Sequence, residues 1–534
     1  MKDDLKIFHD GPYLLPRFNP GQGGVDFLGL RQVSLDLMAE YIPGINNVTR
    51  KIRPYSVMCW IYWKFYQLMK ARAENMPSEE QMIRFREKTE NLFLWGHQLE
   101  ELKGVPGVSA KPKEFKGNKA NLSFKSWGRV ARNTSLQAAV QYGPSLSNRG
   151  GLGFLQKVEG SLYTVTPRGE ALAKALDQRL RKRESYNSLI DLDLMFASEK
   201  EAKDLFVAWR LNSPGAEERA TFYETFFDDL SAGQADALGS RSLVICLVRE
   251  ILKQSRGTME LDEIRKSMTY GRLPSGKRIA LTGKLQNASK KWILLQVRQM
   301  QRLAIESLMS WVEYRLLKHG ERSAQDLAAA AVSNLRKEKT SVFHKEKPVD
   351  ILADWLGRFK SFDEYIDAVF KDADQFCMFT LGRDLEQRVR DEPDEICEPA
   401  FRLLLICRRF HDWFATDKEM RKEMPRGGSG RVSLEFWAKT WDKNCNYPLI
   451  DLVSLVLSNM VLSQHFAVAT NRFDGGTQRL RITIEEEGLE ILVSKPWQPY
   501  IAADRLGTLV SLMADCGLIS ENAEQEEYSF EPGN

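Results

Sequence analysis

The sequence lacks paired cysteines, a long uninterrupted apolar run, an overall charge imbalance and a catalytic motif, and each absence removes a class of protein. Its seven cysteines, Cys59, Cys246, Cys377, Cys397, Cys407, Cys445 and Cys516, lie far apart and none forms a CxxC pair. Most sit in apolar runs, where a reduced thiol behaves as a small hydrophobe. An odd, scattered set argues against a disulfide framework and for a reducing compartment. The opening residues, MKDDLKIFHDG, contain no signal-peptide apolar stretch. The longest apolar helix candidates, around 56–69 and 449–462, are too short or too interrupted to span a bilayer. The expectation is a cytoplasmic protein without a membrane partner.

Catalytic chemistry is equally hard to place. The six histidines, His9, His97, His319, His344, His411 and His465, are too dispersed for an HExxH or paired zinc site, and GxSxG is absent. GRLPSGKR at 271–278 fits Gx4GK, but Arg278 stands where a P-loop needs Ser or Thr. It also follows a helical stretch, MELDEIRKSMTY, rather than a buried strand. LIDLDLMFASEKEAK carries Asp191, Asp193, Glu201 and Lys203, the residue types of a metal-dependent nuclease. That chemistry needs the acids on adjacent strands, whereas Glu201 and Lys203 fall in a helical run capped by Ser198. No catalytic residue, metal ligand or cofactor is assigned.

What is present is mostly helix. A length of 534 residues with 43% apolar content gives ample material for several cores. Leu30, Val33, Leu37 and Tyr41 share one helical face, ended by Gly44. Pro54 opens a second helix and Ser78 a third, with acids in its first turn. Further helices are expected at 199–212, 241–254, 323–337, 361–371, 398–415 and 449–471. In the helix at 292–316, Ile293, Val297, Met300, Ala304, Leu308 and Trp311 form one stripe, with Arg298, Arg302 and Glu306 on the opposite face. PRGGSGR at 425–431 reads as a loop. RLRITIEEEGLEILV alternates as a hairpin turning near Gly488, a helix follows, and the last dozen residues read as a frayed acidic tail.

Five consecutive segments follow from these breaks: 1–101, helical; 102–190, a basic loop with a small helix-and-hairpin module; 191–350, helical with a basic stretch at 264–305; 351–446, helical; and 447–534, helix–hairpin–helix. The fold class expected is mainly α and multi-domain, with short β-hairpins.

Net charge is only +4, so function has to be sought in local charge. Between Leu102 and Asn133 lie eight cations, Lys103, Lys111, Lys113, Lys116, Lys119, Lys125, Arg129 and Arg132, against one acid, Glu114. From Ile264 to Ile305 there are ten and no carboxylate: Arg265, Lys266, Arg272, Lys277, Arg278, Lys284, Lys290, Lys291, Arg298 and Arg302. Stretches of this kind supply phosphate contacts, and Tyr270 and Trp292 are candidates for stacking on bases. The turn NNVTRKIRPYS places Arg50, Lys51 and Arg53 at a helix N-terminus as a candidate anion site.

The stretch 122–183 supplies, in order, three short helices (FKSWGRVAR, TSLQAAVQY and one starting at Gly143), two strands around Glu159-Gly160, and a Thr166-capped helix starting at Pro167 and ending in Arg179, Arg181, Lys182 and Arg183. Gly151, Leu152, Phe154, Tyr163, Thr166, Gly169, Leu172 and Ala173 match a run common in winged-helix proteins, and the segment resembles that family. The resemblance implies a third helix that reads the major groove, with Ser145, Asn148 and Arg149 nearest the base edges, and a hairpin touching the backbone. A second winged-helix-like unit is expected at 447–520.

Asp26, Leu28, Gly29, Pro43, Gly44, Thr49, Arg53, Tyr55 and Trp60 resemble the opening of a bacterial family often encoded beside phage-defence and DNA-modification genes. That resemblance implies an intracellular role in a multi-protein system acting on DNA. The functional expectation is a non-catalytic DNA-binding or DNA-sensing subunit of an anti-phage complex, binding double-stranded more than single-stranded DNA beside other defence subunits. The alternatives are a metal-dependent nuclease whose carboxylates converge only in the folded chain, and a protein–protein scaffold.

Overall fold

The computed structural model describes residues 26–72, 78–160, 162–227, 239–281, 283–425, 432–472, 479–522 and 524–531. The fold is mainly α, with small antiparallel sheets, as the periodicity predicts. The chain forms two compact units built from interleaved segments rather than five consecutive ones. One comprises Ala39–Arg265, Ile279–Ala288 and Ala503–Asn534, and is called the 39–265 unit below. The other comprises Met1–Met38, Lys266–Arg278 and Ser289–Ala502, the 289–502 unit. The loop expected at 425–431 lies outside the described residues beyond Pro425.

Local signals set the start of several helices in the 39–265 unit. Pro54 lies in the first turn of the helix Arg53–Ala71, which is buried along most of its length. Ser78 and Gln81 close a capping box on Glu79–Leu99, and Ser198 and Glu201 close one on Glu199–Trp209. These two helices pass so closely at Gly96 that a β-carbon there would lie 2.9 Å from the Ala202 carbonyl and from Phe206. Thr166 caps Pro167–Leu180 by accepting from the Gly169 amide, and that helix packs along Arg53–Ala71. Trp60 Nε1 donates to Asp177 at 2.9 Å, which ties the two together.

The acidic tail is a correction. Ile519–Asn522 and Glu527–Phe530 pair as antiparallel strands, and the latter also pairs with Met259–Glu260. Tyr528 is only 6% exposed. The alternation of Tyr528 and Phe530 within a carboxylate-rich stretch is what makes a strand of it.

In the 289–502 unit the helix Gly283–Lys318 supplies the centre of the core from Ser289 onward. Its apolar stripe is buried as expected, but so are Arg298, Arg302, Glu306 and Glu313 on the other faces. A helix wrapped on all sides by its neighbours has no solvent face, so these groups are met by protein. Arg298 donates to the Val432 carbonyl (2.8 Å), Arg302 to Glu306 (3.0 Å) and the Tyr500 carbonyl (2.7 Å), and Arg481 to Glu313. Burial raises the Glu306 carboxyl to about 7, with Arg302 opposing the shift.

The helical stretch Leu449–Asn471 is long and apolar enough to cross a membrane, where sequence reading expected interruption, and 67% of its apolar window is buried inside the protein. Its middle, Val456–Leu462, is wound as π-helix. The hairpin Ile482–Glu485 with Gly488–Ile491 forms as predicted. Gly488 has φ +113°, and a β-carbon there would meet the Arg322 carbonyl at 2.3 Å. This hairpin belongs to the 289–502 unit and the helix Leu506–Asp515 to the other, so the parts expected to make a second winged-helix-like module fall in different units.

Among the described residues, each unit contains one fully buried histidine with both ring nitrogens engaged. His97 Nδ1 meets the Phe93 carbonyl (2.7 Å) and Nε2 accepts from the Leu211 amide (2.9 Å). His465 does the same with the Phe27 carbonyl (3.3 Å) and the Arg481 amide (3.0 Å). Burial holds both rings neutral, pulling each down to about 4 from 6.5. A base depressed in the folded state contributes stability above its unfolded pKa that is lost as pH falls. The stability gap between wild type and His97→Gln is therefore expected to narrow by roughly 2 kcal/mol from pH 7 to pH 5. Thermal unfolding of both proteins across that range measures it, and a pH-independent gap contradicts it.

Candidate nucleic-acid interface

The basic segment 102–133 belongs to the 39–265 unit and is held by a short sheet. Strands β1 (Phe115–Lys116) and β2 (Lys119–Asn121) form a hairpin, and β2 pairs with β5 (Phe196–Ser198). Ala120, Leu122, Phe124 and Trp127 point into the core. Trp127 Nε1 donates to the Asn121 carbonyl (2.8 Å), and the Phe124 amide to Glu87 (3.0 Å). With these four residues anchored, the segment turns its lysines outward. Lys103, Lys111, Lys113, Lys116, Lys125 and Arg132 are exposed and make no ion pair among the described residues. The Lys113 ammonium lies over Gly128, 3.1 Å from where a β-carbon would sit.

Two cations of this segment are used internally. Lys119 lies 3.9 Å from Glu201. Arg129 is buried, packs 4.2 Å from the centre of the Phe124 ring, and donates to Asn91 (2.6 Å), the Thr134 carbonyl (2.5 Å) and Glu90 (3.2 Å). Glu90 also accepts from Ser135 Oγ (2.7 Å) and the Leu136 amide (3.0 Å). This buried carboxylate fixes the turn that follows the basic segment.

That turn replaces two of the expected helices. Only Ala131–Thr134 is helical within 124–142, and the third expected helix is the single turn Gly143–Leu146. After it the chain closes into a rigid loop: the Leu152 amide donates to the Ser145 carbonyl (2.7 Å), Gly153 to Ser147 (3.0 Å) and Asn148 to Leu155 (2.8 Å). Gly150 and Gly153 adopt φ +74° and +79°, which a helix excludes, and Gly151 packs where a β-carbon would strike the Ser147 carbonyl at 2.4 Å. Ser145 is 2% exposed and bonded to the Gly44 carbonyl and Tyr55, so it belongs to the core and cannot meet a base edge. Asn148 and Arg149 are exposed.

The expected hairpin does form. Strands β3 (Leu155–Glu159) and β4 (Leu162–Val165) are antiparallel, with Val158 61% exposed near the tip. Between the Gly143–Leu146 turn and this hairpin lies a concavity of about 600 Å3, lined among others by Gln137, Asn148, Arg149, Gln156, Lys157 and Tyr163. Among the described residues no carboxylate lines it. Arg149 and Lys157 are exposed and unpaired among the described residues. The Asn133 carbonyl, at the end of the basic segment, accepts from Gln141 Nε2 at 3.3 Å.

The other candidate cations are largely consumed by the protein. Arg265 pairs with Asp504 (2.6 Å) and Asp262, Arg272 with Asp367 (3.1 Å) and Asp363 (3.7 Å), Arg278 with Asp363 (3.1 Å), and Lys290 with Asp417 (2.6 Å). Arg298 and Arg302 are core residues, and so are Tyr270 and Trp292, which removes both as stacking platforms. Lys277 and Lys284 are exposed, and Lys291 is half-buried. At the candidate anion turn, Arg53 is buried against Glu218 (2.7 Å) and Lys51 lies between Asp515 (3.7 Å) and Glu521 (3.6 Å), leaving Arg50 exposed. At the end of Pro167–Leu180 and just after it, Arg179, Arg181 and Arg183 are likewise engaged by Glu218, Asp177 and Asp204.

The nuclease-like acids are taken up by partners within the protein. Asp193 pairs with Arg72 (2.9 Å), Asp191 accepts the Asp193 amide, and Glu201 is spent on its capping box. Among the described residues no group of three or more His, Cys, Asp or Glu side chains is placed to hold a metal ion. The 271–278 segment is a tight turn, with the Leu273 amide donating to the Lys277 carbonyl (2.9 Å) after a helix. Comparison with family models, curated proteins and solved structures finds no match in any of the three.

Removing Glu90 leaves the Arg129 guanidinium buried without its carboxylate. Glu90→Ala is expected to cost about 3–5 kcal/mol and to release amide protection across 129–142 in hydrogen exchange. Unchanged protection there contradicts the anchoring role.

Proposed function

We propose that the chain is a non-catalytic DNA-binding or DNA-sensing subunit of a bacterial anti-phage defence complex, contacting duplex DNA through the 39–265 unit. One observation carries the reading. Lys111, Lys113, Lys116, Lys125 and Arg132 stand exposed without ion pairs among the described residues, on a segment held down by its own buried aromatics. Arg149 and Lys157 add charge at a concavity without carboxylates among the described residues. Exposed, unpaired ammonium groups exchange hydration and counterions for phosphate oxygens at small cost, which is the source of salt-dependent affinity. The exposed hairpin tip beside the concavity fits a backbone contact of the kind winged-helix proteins make. The defence setting rests on the resemblance of residues 26–60.

The triple variant Lys113→Glu, Lys116→Glu, Lys125→Glu is expected to weaken binding to a short blunt duplex at least tenfold at physiological salt. It is also expected to flatten the slope of log affinity against log salt by roughly 0.9 for each phosphate no longer neutralised. Lys290→Gln, whose ammonium already pairs with Asp417, is expected to leave both quantities in place. Fluorescence anisotropy over a salt series measures them, and a triple variant indistinguishable from wild type removes this surface from DNA binding.

A further inference from the structure

The concavity beside the β3–β4 hairpin has a lining more specific than phosphate binding requires. Gln137 Oε1 accepts from Arg86 Nη1 at 2.8 Å and from the Tyr62 hydroxyl, so the amide is locked with its Nε2 as the remaining polar atom. That Nε2 has no partner among the described residues. Arg149 and Lys157 are charged donors on the same lining, and among the described residues no carboxylate lies on it to balance them. The site therefore asks for a ligand rich in acceptors and negatively charged. Tyr163 adds a half-buried ring, packed 5.5 Å from Tyr62, with which a planar group can stack. The walls are closed by backbone hydrogen bonds and do not need ligand to form.

Size narrows the occupant. About 600 Å3 is the scale of a small-molecule site, too small to admit a duplex and sufficient for one nucleotide. We infer that this concavity holds a single unpaired nucleotide of a DNA strand, its base against Tyr163, a base carbonyl on Gln137 Nε2, and its phosphate between Arg149 and Lys157. The inference rests on the DNA-binding reading and deepens it: a protein with this site distinguishes frayed or overhanging ends from continuous duplex. An acidic peptide would satisfy the cations but would leave the ring and the locked amide unused.

The test compares affinities of the full chain for a short blunt duplex, the same duplex with a few unpaired thymidines at one end, thymidine monophosphate and a polyglutamate peptide. Wild type is expected to bind the overhang duplex at least about fivefold tighter than the blunt one, the lower range of what one stacked base contributes. In Gln137→Glu and in Tyr163→Leu that ratio is expected to fall to within about twofold of unity. Gln137→Glu keeps an acceptor oxygen for Tyr62 and Arg86, so the wall stays in place while the donor is removed. Equal affinity for overhang and blunt duplex overturns the inference and leaves the DNA-binding reading standing. Absent duplex binding with retained overhang binding does the reverse. Monophosphate binding as tightly as the overhang, or polyglutamate displacing the overhang as well as DNA does, overturns the assignment to a strand.

Discussion

A guanidinium taken out of water has to be met by carboxylates or carbonyls, and that requirement organises the positive charge of this protein. Arg53 with Glu218, Arg129 with Glu90 and Asn91, and Arg302 with Glu306 and the Tyr500 carbonyl are all buried constellations that link segments distant in sequence. Burial alone pulls Arg298 down to about 10, and the Val432 carbonyl compensates part of the lost hydration. Arginine suits these sites because its planar fork serves several acceptors at once. Lysine, a strongly hydrated point charge, is mostly left to the surface, with Lys64 and Lys88 as buried exceptions. The separation leaves exposed lysines concentrated where the chain has few acids of its own, in the segment after Leu102.

Local signals were legible in the sequence, and tertiary ones were not. Ser78, Ser198 and Thr166 cap helices where expected, because a cap depends on a few adjacent residues. The Glu159-Gly160 turn and the hairpin near Gly488 form for the same reason. The polar face of the helix Gly283–Lys318 could not be known to be buried, since the carbonyls that accept its arginines come from Val432 and Tyr500, far along the chain. The same gap explains the stretch 264–305. Its count of cations is conspicuous, but Asp363, Asp367, Asp417 and Asp504 reach them from far along the chain. Charge in a window measures how many cations there are, not which are free.

The segment 143–155 shows how a composition signal can be read in the wrong register. Its glycines weigh against a helix, and they serve a loop that needs positive φ at Gly150 and Gly153 and close backbone approach at Gly151. The loop buries Ser145 while presenting Asn148 and Arg149 to the concavity. Missing from sequence reasoning were Gln137, Gln156, Lys157 and Tyr163 as members of one lining. The hairpin register that pairs Lys157 with Tyr163 and Gln156 with Thr164 places three of them on β3 and β4. The fourth, Gln137, is positioned by Tyr62 and Arg86 from two other helices.

The central claim is that the lysines of the segment after Leu102 that are exposed and without ion pairs among the described residues meet a polyanion, while most candidate cations of 264–305 are already satisfied. Quantitative lysine acetylation followed by mass spectrometry, with and without duplex DNA, tests it most directly. The account predicts that Lys113, Lys116, Lys125 and Lys157 react readily in the free protein and become protected by DNA, while the reactivity of Lys290 and Lys51 stays the same. Protection spread evenly over all surface lysines, or absent from the first four, contradicts it.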